Sequence, residues 1–183
     1  MDELALNILD IACNSVKAGA GTVTIDVAAD TAADRLTIRI ADDGKGMDPA
    51  FAATVTDPFT TTRTTRKVGM GIPLFKMAAE MSGGTFSLGS APGKGTTVTA
   101  TFTLSHVDRM PLGDLASTMT TLIGGAPDTQ FVLNFSLDGA AYRFDTREVR
   151  AAVGDDLSDA ETLGFIGDMI AENIDNIKKG VYI

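Results

Sequence analysis

The sequence predicts an α/β fold, a two-layer sandwich in which helices cover one face of a β-sheet. Three observations lead to this prediction. An amphipathic helical pattern opens the chain, two segments of alternating polarity follow it, and the same helix–strand–strand order returns after a long loop. Helices and strand pairs that alternate in this way bury their apolar sides against each other in two layers. A smaller α+β extension follows the second strand pair.

The individual elements follow from hydrophobic periodicity and from the residues that end it. Apolar residues three and four apart predict a helix over residues 3–18, which Gly19 and Gly21 terminate. Alternation of apolar and polar residues predicts strands over 22–28 and 35–41. The other elements predicted before residue 105 are a short helix at 49–54, a helix at 72–81, and strands at 85–89 and 96–104.

A change of pattern near residue 105 predicts two domains, 1–105 and 106–183. The second contains a helix at 112–123, a hairpin over 130–145 and a last helix with an apolar stripe. That stripe consists of Leu163, Ile166, Ile170, Ile174 and Ile177. An appendage of about 78 residues buries only a modest core by itself. We therefore expect the stripe to pack against residues 1–105 or against a second copy, so that a homodimer is one expected arrangement.

Composition limits the partners and the compartment. The formal net charge of −9 repels phosphate backbones, so nucleic acid is not expected as a partner. The single cysteine, Cys13, excludes an internal disulfide and suits a reducing compartment. The chain starts with acidic residues and has no apolar run near the roughly 20 residues of a membrane span. A cytoplasmic protein without membrane segments is expected.

The first helix carries a polar stripe. Asp10, Asn14 and Lys17 lie four and three residues apart and therefore share one helix face. Such a stripe is commonly the solvated side of an amphipathic helix. It also suits a site for Mg²⁺, which accepts a neutral amide oxygen and takes its other ligands from phosphates and water. On that interpretation Asn14 is the metal ligand, and Asp10 points toward a terminal phosphate.

The turn after the strand at 35–41 is the most specific motif. An Asp-Gly turn alone is typical of a hairpin. Asp42, at the strand end, is also placed to accept a hydrogen bond from the exocyclic amine of adenine. Gly44 and Gly46 let the backbone pass close to a base, since they have no Cβ. Met47 would pack on the purine, or else fill the core.

Two later segments complete the candidate site. Cations and hydroxyl side chains fill the loop at 57–68, which is either an ordinary surface loop or a lid over a nucleotide. Phosphate contacts would come from the loop cations and from two glycines before a helix start, namely Arg63, Arg66, Lys67, Gly69 and Gly71. Thr96, which follows Gly93-Lys94-Gly95, is a strand former or a fourth part of the site.

These four motifs, in this order, resemble the GHKL ATPase superfamily of gyrase, MutL and sensor histidine kinases, over about residues 3–104. The resemblance implies a Bergerat-type fold with helices on one face of a mixed sheet, and it implies ATP with Mg²⁺ as ligands. Asp42 matches the adenine-reading acid, which the hydroxyl of the residue matching Thr96 supports. Asp10 matches the acid that orients or deprotonates water in the hydrolytic members, and Lys17 is more similar to the kinase branch.

Two classes of function follow from this resemblance. The first is an enzyme that hydrolyses ATP or transfers its phosphate to a separate protein partner. The alternative is a non-catalytic regulatory module that ATP switches. Asp10 is shorter than the usual glutamate, and histidine kinases often have asparagine there. The extension from His106 onward matches no functional motif, and its partner and any phosphoacceptor are not specified by the sequence.

Overall fold

The computed structural model describes residues 3–57 and 70–183. The predicted order of elements is confirmed over this part of the chain. The elements are α1 (Leu4–Lys17), β1 (Thr22–Asp30), β2 (Arg35–Asp42), α2 (Pro49–Thr54), α3 (Gly71–Met81), β3 (Phe86–Ala91), β4 (Gly95–Thr103), α4 (Leu115–Gly125), β5 (Gln130–Leu137), β6 (Ala140–Asp145), α5 (Thr146–Val153) and α6 (Ala160–Lys178).

The six strands form one mixed sheet in the order β3-β4-β2-β1-β5-β6. Only β1 and β5 run parallel; the other neighbouring pairs are antiparallel. The register places apolar residues opposite one another, as Ile25 faces Ile40 on one side and Leu133 on the other. These residues are fully buried. The alternation that predicted half-buried strands therefore creates one continuous apolar face.

Helices cover that face, and the opposite face is polar. α1, α3 and α6 contact the strands, and α4 lies between α1 and α6. On the uncovered face the carboxylate of Asp26 accepts hydrogen bonds from Arg39 at 3.0 Å and from Asn134 at 2.7 Å. The predicted two-layer arrangement is confirmed. Among the described helices, none combines the length and apolarity that a membrane span requires.

The extension joins the same sheet. β5 pairs with β1, and the apolar stripe of α6 is covered within the chain, where Ile166, Ile170 and Ile174 are buried in the common core. The expected partners of the stripe were residues 1–105 or a second copy, whereas α6 packs mainly against α4, β5 and β6, which all belong to the extension. The stripe gives no separate ground for a second copy, and the homodimer stays a prediction. The two-domain division also stays a prediction, while one core extends across residue 105.

Candidate functional site

Asp42 ends β2, and three donors hold its carboxylate. Oδ1 accepts hydrogen bonds from the backbone N–H of Gly44 at 2.9 Å and of Thr96 at 3.2 Å. Oδ2 accepts the hydroxyl proton of Ser15 at 2.6 Å. A carboxylate oxygen has two acceptor positions, so Oδ1 is saturated and Oδ2 keeps one position open. Asp42 lines a pocket of about 270 Å³, and the chain thus offers one oriented acceptor there.

The glycines of the turn are required by close backbone approach. Gly46 has φ +67°, and a Cβ at this position would lie 1.9 Å from the carbonyl oxygen of Ala91. Gly95 has φ +80°, and its Cβ would lie 1.8 Å from the carbonyl oxygen of Asp42. A Cβ on Gly44 would lie 3.0 Å from Asp42 Oδ1. The space at Gly46 is therefore taken by neighbouring backbone, although the residue also lines the pocket.

Thr96 contacts Asp42 in a way that differs from what the resemblance implies. Its backbone N–H, rather than its hydroxyl, donates to the carboxylate. The hydroxyl is instead hydrogen-bonded to Ser90 Oγ at 2.9 Å, and Ser90 Oγ also accepts the N–H of Met47 at 2.8 Å. The antiparallel register sets Asp42 directly opposite Thr96, so the strand backbone itself delivers the donor. Met47 lines the pocket and is only partly buried.

The pocket walls are apolar and its rim carries two cations. Lys17 and Lys45 line it and are exposed. Apolar walls with a single fixed polar group suit a flat heteroaromatic ring. The apolar side chains that line the pocket are Ile11, Ile40, Met47, Phe51, Val55, Ile72 and Val98.

The polar stripe of α1 borders this pocket. Asn14 lines it, is partly buried and makes no side-chain hydrogen bond within the described residues. Asp10 lies one helical turn earlier and is exposed. Gly71, the first residue of α3, sits against it, because a Cβ on Gly71 would lie 2.8 Å from Asp10 Cβ. The N-terminus of α3 therefore begins beside Asp10.

The structure thus brings most of the predicted residues together around one pocket. These are Asp10, Asn14, Lys17, Asp42, Gly44, Gly46, Met47, Gly71 and Thr96. The other predicted phosphate contacts, Arg63, Arg66, Lys67 and Gly69, lie outside the described residues. Asp43 takes no part in the pocket lining and instead accepts the N–H of Thr22 at 2.8 Å, which ties the turn to the start of β1.

The fit to Mg²⁺ rests on Asn14. Its amide oxygen is available, since no described residue bonds its side chain, and it borders the pocket. Within residues 3–57 and 70–183, no group of three or more His, Cys, Asp or Glu side chains could hold a metal ion. A metal brought in with a nucleotide needs few protein ligands, because phosphates and water supply the others. The residues present fit such an ion.

The neighbouring thiol is not a reactive group. Burial raises the pKa of Cys13, the nearby cation of Lys17 opposes this, and the carboxylate of Asp10 raises the pKa further. The thiol therefore stays protonated at neutral pH and is a weak nucleophile. Cys13 does not line the pocket.

Sequence reasoning missed three residues that organise the site. Ser15, which the helical periodicity places on the same side of α1 as Ile8 and Ile11, is buried and bonded to Asp42. A hydroxyl on the buried face of α1, next to Asn14, is the signal that could have found it. Lys45 lines the pocket, and its backbone N–H donates a hydrogen bond to the carbonyl oxygen of Ala18 at 3.0 Å. Ser90 carries no sequence signal, since its role depends on strand pairing.

The first 106 residues identify the family of the chain. Residues 1–106 match the model of the histidine kinase-, DNA gyrase B- and HSP90-like ATPases. The chain belongs to this ATPase family. The resemblance drawn from the four motifs is confirmed, and membership in the family supports ATP or ADP as the ligand of the pocket.

Two curated proteins are similar to part of this chain. The chain is 31% identical over 111 residues to the non-motile and phage-resistance protein of Caulobacter vibrioides. It is 39% identical over 66 residues to the C4-dicarboxylate transport sensor protein DctS of Rhodobacter capsulatus. These alignments cover 56% and 36% of this chain, but only 13% and 10% of those proteins.

A solved structure extends the similarity in fold. The ATPase domain of Aquifex aeolicus MutL, solved with ADP, superposes with a TM-score of 0.53 at 15% sequence identity. The superposition covers 85% of this chain and 68% of that domain. At this identity the likeness concerns the fold alone.

Proposed function

We propose that the chain binds Mg-ATP in this pocket and hydrolyses it with Asp10 as general base. The observation that carries the proposal is the single oriented acceptor of Asp42, at a pocket whose walls are apolar and along whose side α1 presents Asn14. Adenine would donate its exocyclic amine to Asp42 Oδ2. Guanine has a carbonyl oxygen at that position, and two acceptors facing each other repel, so the pocket should select adenine.

The phosphates would extend along α1 toward the start of α3. Mg²⁺, when bound, would be held by Asn14 and would neutralise part of the phosphate charge. Lys17 at the rim would approach a phosphate oxygen, and the backbone N–H of Gly71 would add a donor at the helix N-terminus. The predicted contacts from Arg63, Arg66, Lys67 and Gly69 remain part of this proposal.

The chemical step would be attack of water on the γ-phosphorus. The water oxygen forms the new P–O bond, the bond from that phosphorus to the β–γ bridging oxygen breaks, and ADP leaves with that oxygen. Asp10 orients the water and accepts its proton, which is later released to solvent. Asp10 suits this role because it is a solvent-exposed carboxylate with no ion pair in the described part of the chain, beside the helix end that would face phosphate.

The test is Asp10→Asn, which keeps the size and polarity of the side chain but removes the base. We expect ATP and ADP to bind with affinities near those of the wild type by calorimetry, while phosphate release falls roughly a hundredfold or more. Asp168→Asn, on an exposed position of α6, is the matched control and should leave both measurements unchanged. Equal rates for wild type and Asp10→Asn would reject Asp10 as base.

Phosphate transfer to a separate protein is the second candidate, and similarity to a sensor protein favours it. Here a side chain of the partner replaces water as nucleophile, and the γ-phosphate ends on that partner. γ-labelled ATP distinguishes the two, since label appears on protein in transfer and as inorganic phosphate in hydrolysis. Tight ATP binding with neither product would identify an ATP-switched regulatory module. All three activities would suit the cytoplasm, where ATP is abundant.

A further inference from the structure

Asn7 on α1 is buried without a hydrogen-bond partner. Asn7 is 1% exposed, and neither its Nδ2 nor its Oδ1 has a hydrogen-bond partner in the described part of the chain. Other buried polar residues differ from it. The hydroxyl of Ser15 donates to Asp42, and that of Thr118 donates to the carbonyl of Ala5. Among residues 3–57 and 70–183, Asn7 is thus the one residue with fully buried side-chain N or O atoms that lack a hydrogen bond.

The position of Asn7 relates it to the base. Asn7, Asp10 and Asn14 lie three and four residues apart in one helix, so they share one face. Helical side chains lean toward the N-terminus, which brings the Asp10 carboxylate over the turn that holds Asn7. Gly71 at the start of α3 packs against Asp10 on this same face. Asn7 thus lies one helical turn before Asp10 on a shared face of α1, and the start of α3 packs against Asp10 on that face.

An unpaired buried amide lowers the stability of the fold, since burial removes its hydrogen bonds to water and the protein supplies no replacement. An apolar side chain of similar size would fill the same space without that loss. Unsatisfied buried groups of this kind are commonly paired with an ordered water. A water beneath Asp10 could accept from Asn7 Nδ2 and donate to the carboxylate, so that the amide orients the base through it.

We propose that Asn7 is a positioning residue that orients Asp10 through a shared water molecule. The inference rests on the proposed hydrolytic function, in which Asp10 is the base. Asn7 itself does not touch the nucleotide on this account. It should therefore affect the rate of the chemical step and leave nucleotide affinity unchanged.

The experiment compares Asn7→Leu, Asp10→Asn and the double variant in the full-length chain. Asn7→Leu should melt at a higher temperature than the wild type, bind ADP within about twofold, and release phosphate at least about tenfold more slowly at saturating ATP. The double variant should be no slower than Asp10→Asn alone, because both changes act on one group. The control is Thr118→Val on α4, which removes the hydrogen bond from Thr118 to the carbonyl of Ala5 on α1. It should change stability without changing the rate.

Turnover of Asn7→Leu at the wild-type rate would overturn the proposal, and so would effects that multiply in the double variant. If the wild type binds ATP but releases no phosphate, the hydrolytic proposal has failed, and a second measurement decides the case of Asn7. The side-chain amide signal of Asn7 in ¹⁵N NMR should shift on Asp10→Asn if the two groups share a water. An unchanged signal would reject the link between them.

Discussion

The two ends of the pocket differ in how their polar groups are satisfied. At the end formed by β2 and β4, the carboxylate of Asp42 has three hydrogen bonds from the protein itself. At the end formed by α1, the side chains of Asp10, Asn14 and Lys17 have none within the described residues. The first end is preorganised before any ligand arrives. The second is not completed by the described residues, and on the proposed function the phosphate chain of the nucleotide would complete it.

The difference follows from the elements that carry each end. Asp42 lies in a strand whose register with β4 places Thr96 opposite it, so its donors come from backbone that cannot rotate. The polar stripe of α1 consists of side chains on one helix face, and their orientation depends on rotamers. On the proposed function, base recognition would therefore be rigid, while the phosphate side would adjust between substrate and product.

The largest effect is expected from breaking the rigid end. Asp42→Asn replaces one acceptor oxygen by an amide that cannot accept, so ADP affinity should fall by about 1.5–3 kcal/mol, roughly ten- to more than a hundredfold. Asp43→Asn is the matched control, since that neighbour bonds Thr22 and does not line the pocket. Calorimetry with ADP measures both. Unchanged ADP affinity in Asp42→Asn would remove the adenine assignment.

The next largest effect is expected at the end of the pocket formed by α1. Asn14→Ala removes the proposed metal ligand, so the gain in ATP affinity that Mg²⁺ provides should shrink by at least about tenfold. Binding measured in EDTA should remain close to that of the wild type, because the base end is untouched. Cys13→Ala serves as control, as that side chain is adjacent but does not line the pocket. A Mg²⁺ dependence equal to that of the wild type would contradict the role of Asn14.

A smaller effect is expected where α3 begins. Gly71→Ala would place a methyl group 2.8 Å from Asp10 Cβ and 3.0 Å from its Oδ2, so α1 and α3 must separate. Urea unfolding should show a loss of about 1–3 kcal/mol, together with slower phosphate release. Gly125→Ala at the end of α4 has no atom within 4 Å and should be neutral or slightly stabilising. Equal stability of the wild type and Gly71→Ala would show that the two helices part freely.

The smallest effect concerns one of the three donors to Asp42. Ser15→Ala removes the hydroxyl and leaves both backbone donors, so ADP affinity should fall by about 0.5–1.5 kcal/mol, roughly two- to tenfold. Ser117→Ala on α4 is a close match, since that hydroxyl makes a bond of the same 2.6 Å length to Asp114, the N-cap residue of the helix. It should lower stability and leave ADP binding intact. A loss as large as that of Asp42→Asn would mean that Ser15 contacts the ligand directly.

Local pattern was sufficient to predict the elements and several of the residues that lie around the pocket. Asp42, Gly46 and Thr96 converge because each follows from a turn or strand end that the sequence marks. The bond of Ser15 could not be predicted, since its partner Asp42 is 27 residues away, although the position of the hydroxyl next to Asn14 is a local signal. The donor at Thr96 is a backbone group, and no side-chain pattern records it. Pairing of β1 with β5 also escapes prediction, because parallel neighbours carry no turn that joins them.

The position of β5 affects how the sheet is completed during synthesis. Thr22 of β1 pairs with Gln130 of β5, so the second neighbour of the first strand is translated about 108 residues later. A nascent chain that already contains the four ATPase motifs still lacks β5. On such a chain one edge of β1 has unpaired backbone hydrogen-bonding groups. Contacts this distant in sequence close slowly. The order of translation therefore leaves the middle of the sheet, rather than its rim, to be completed late.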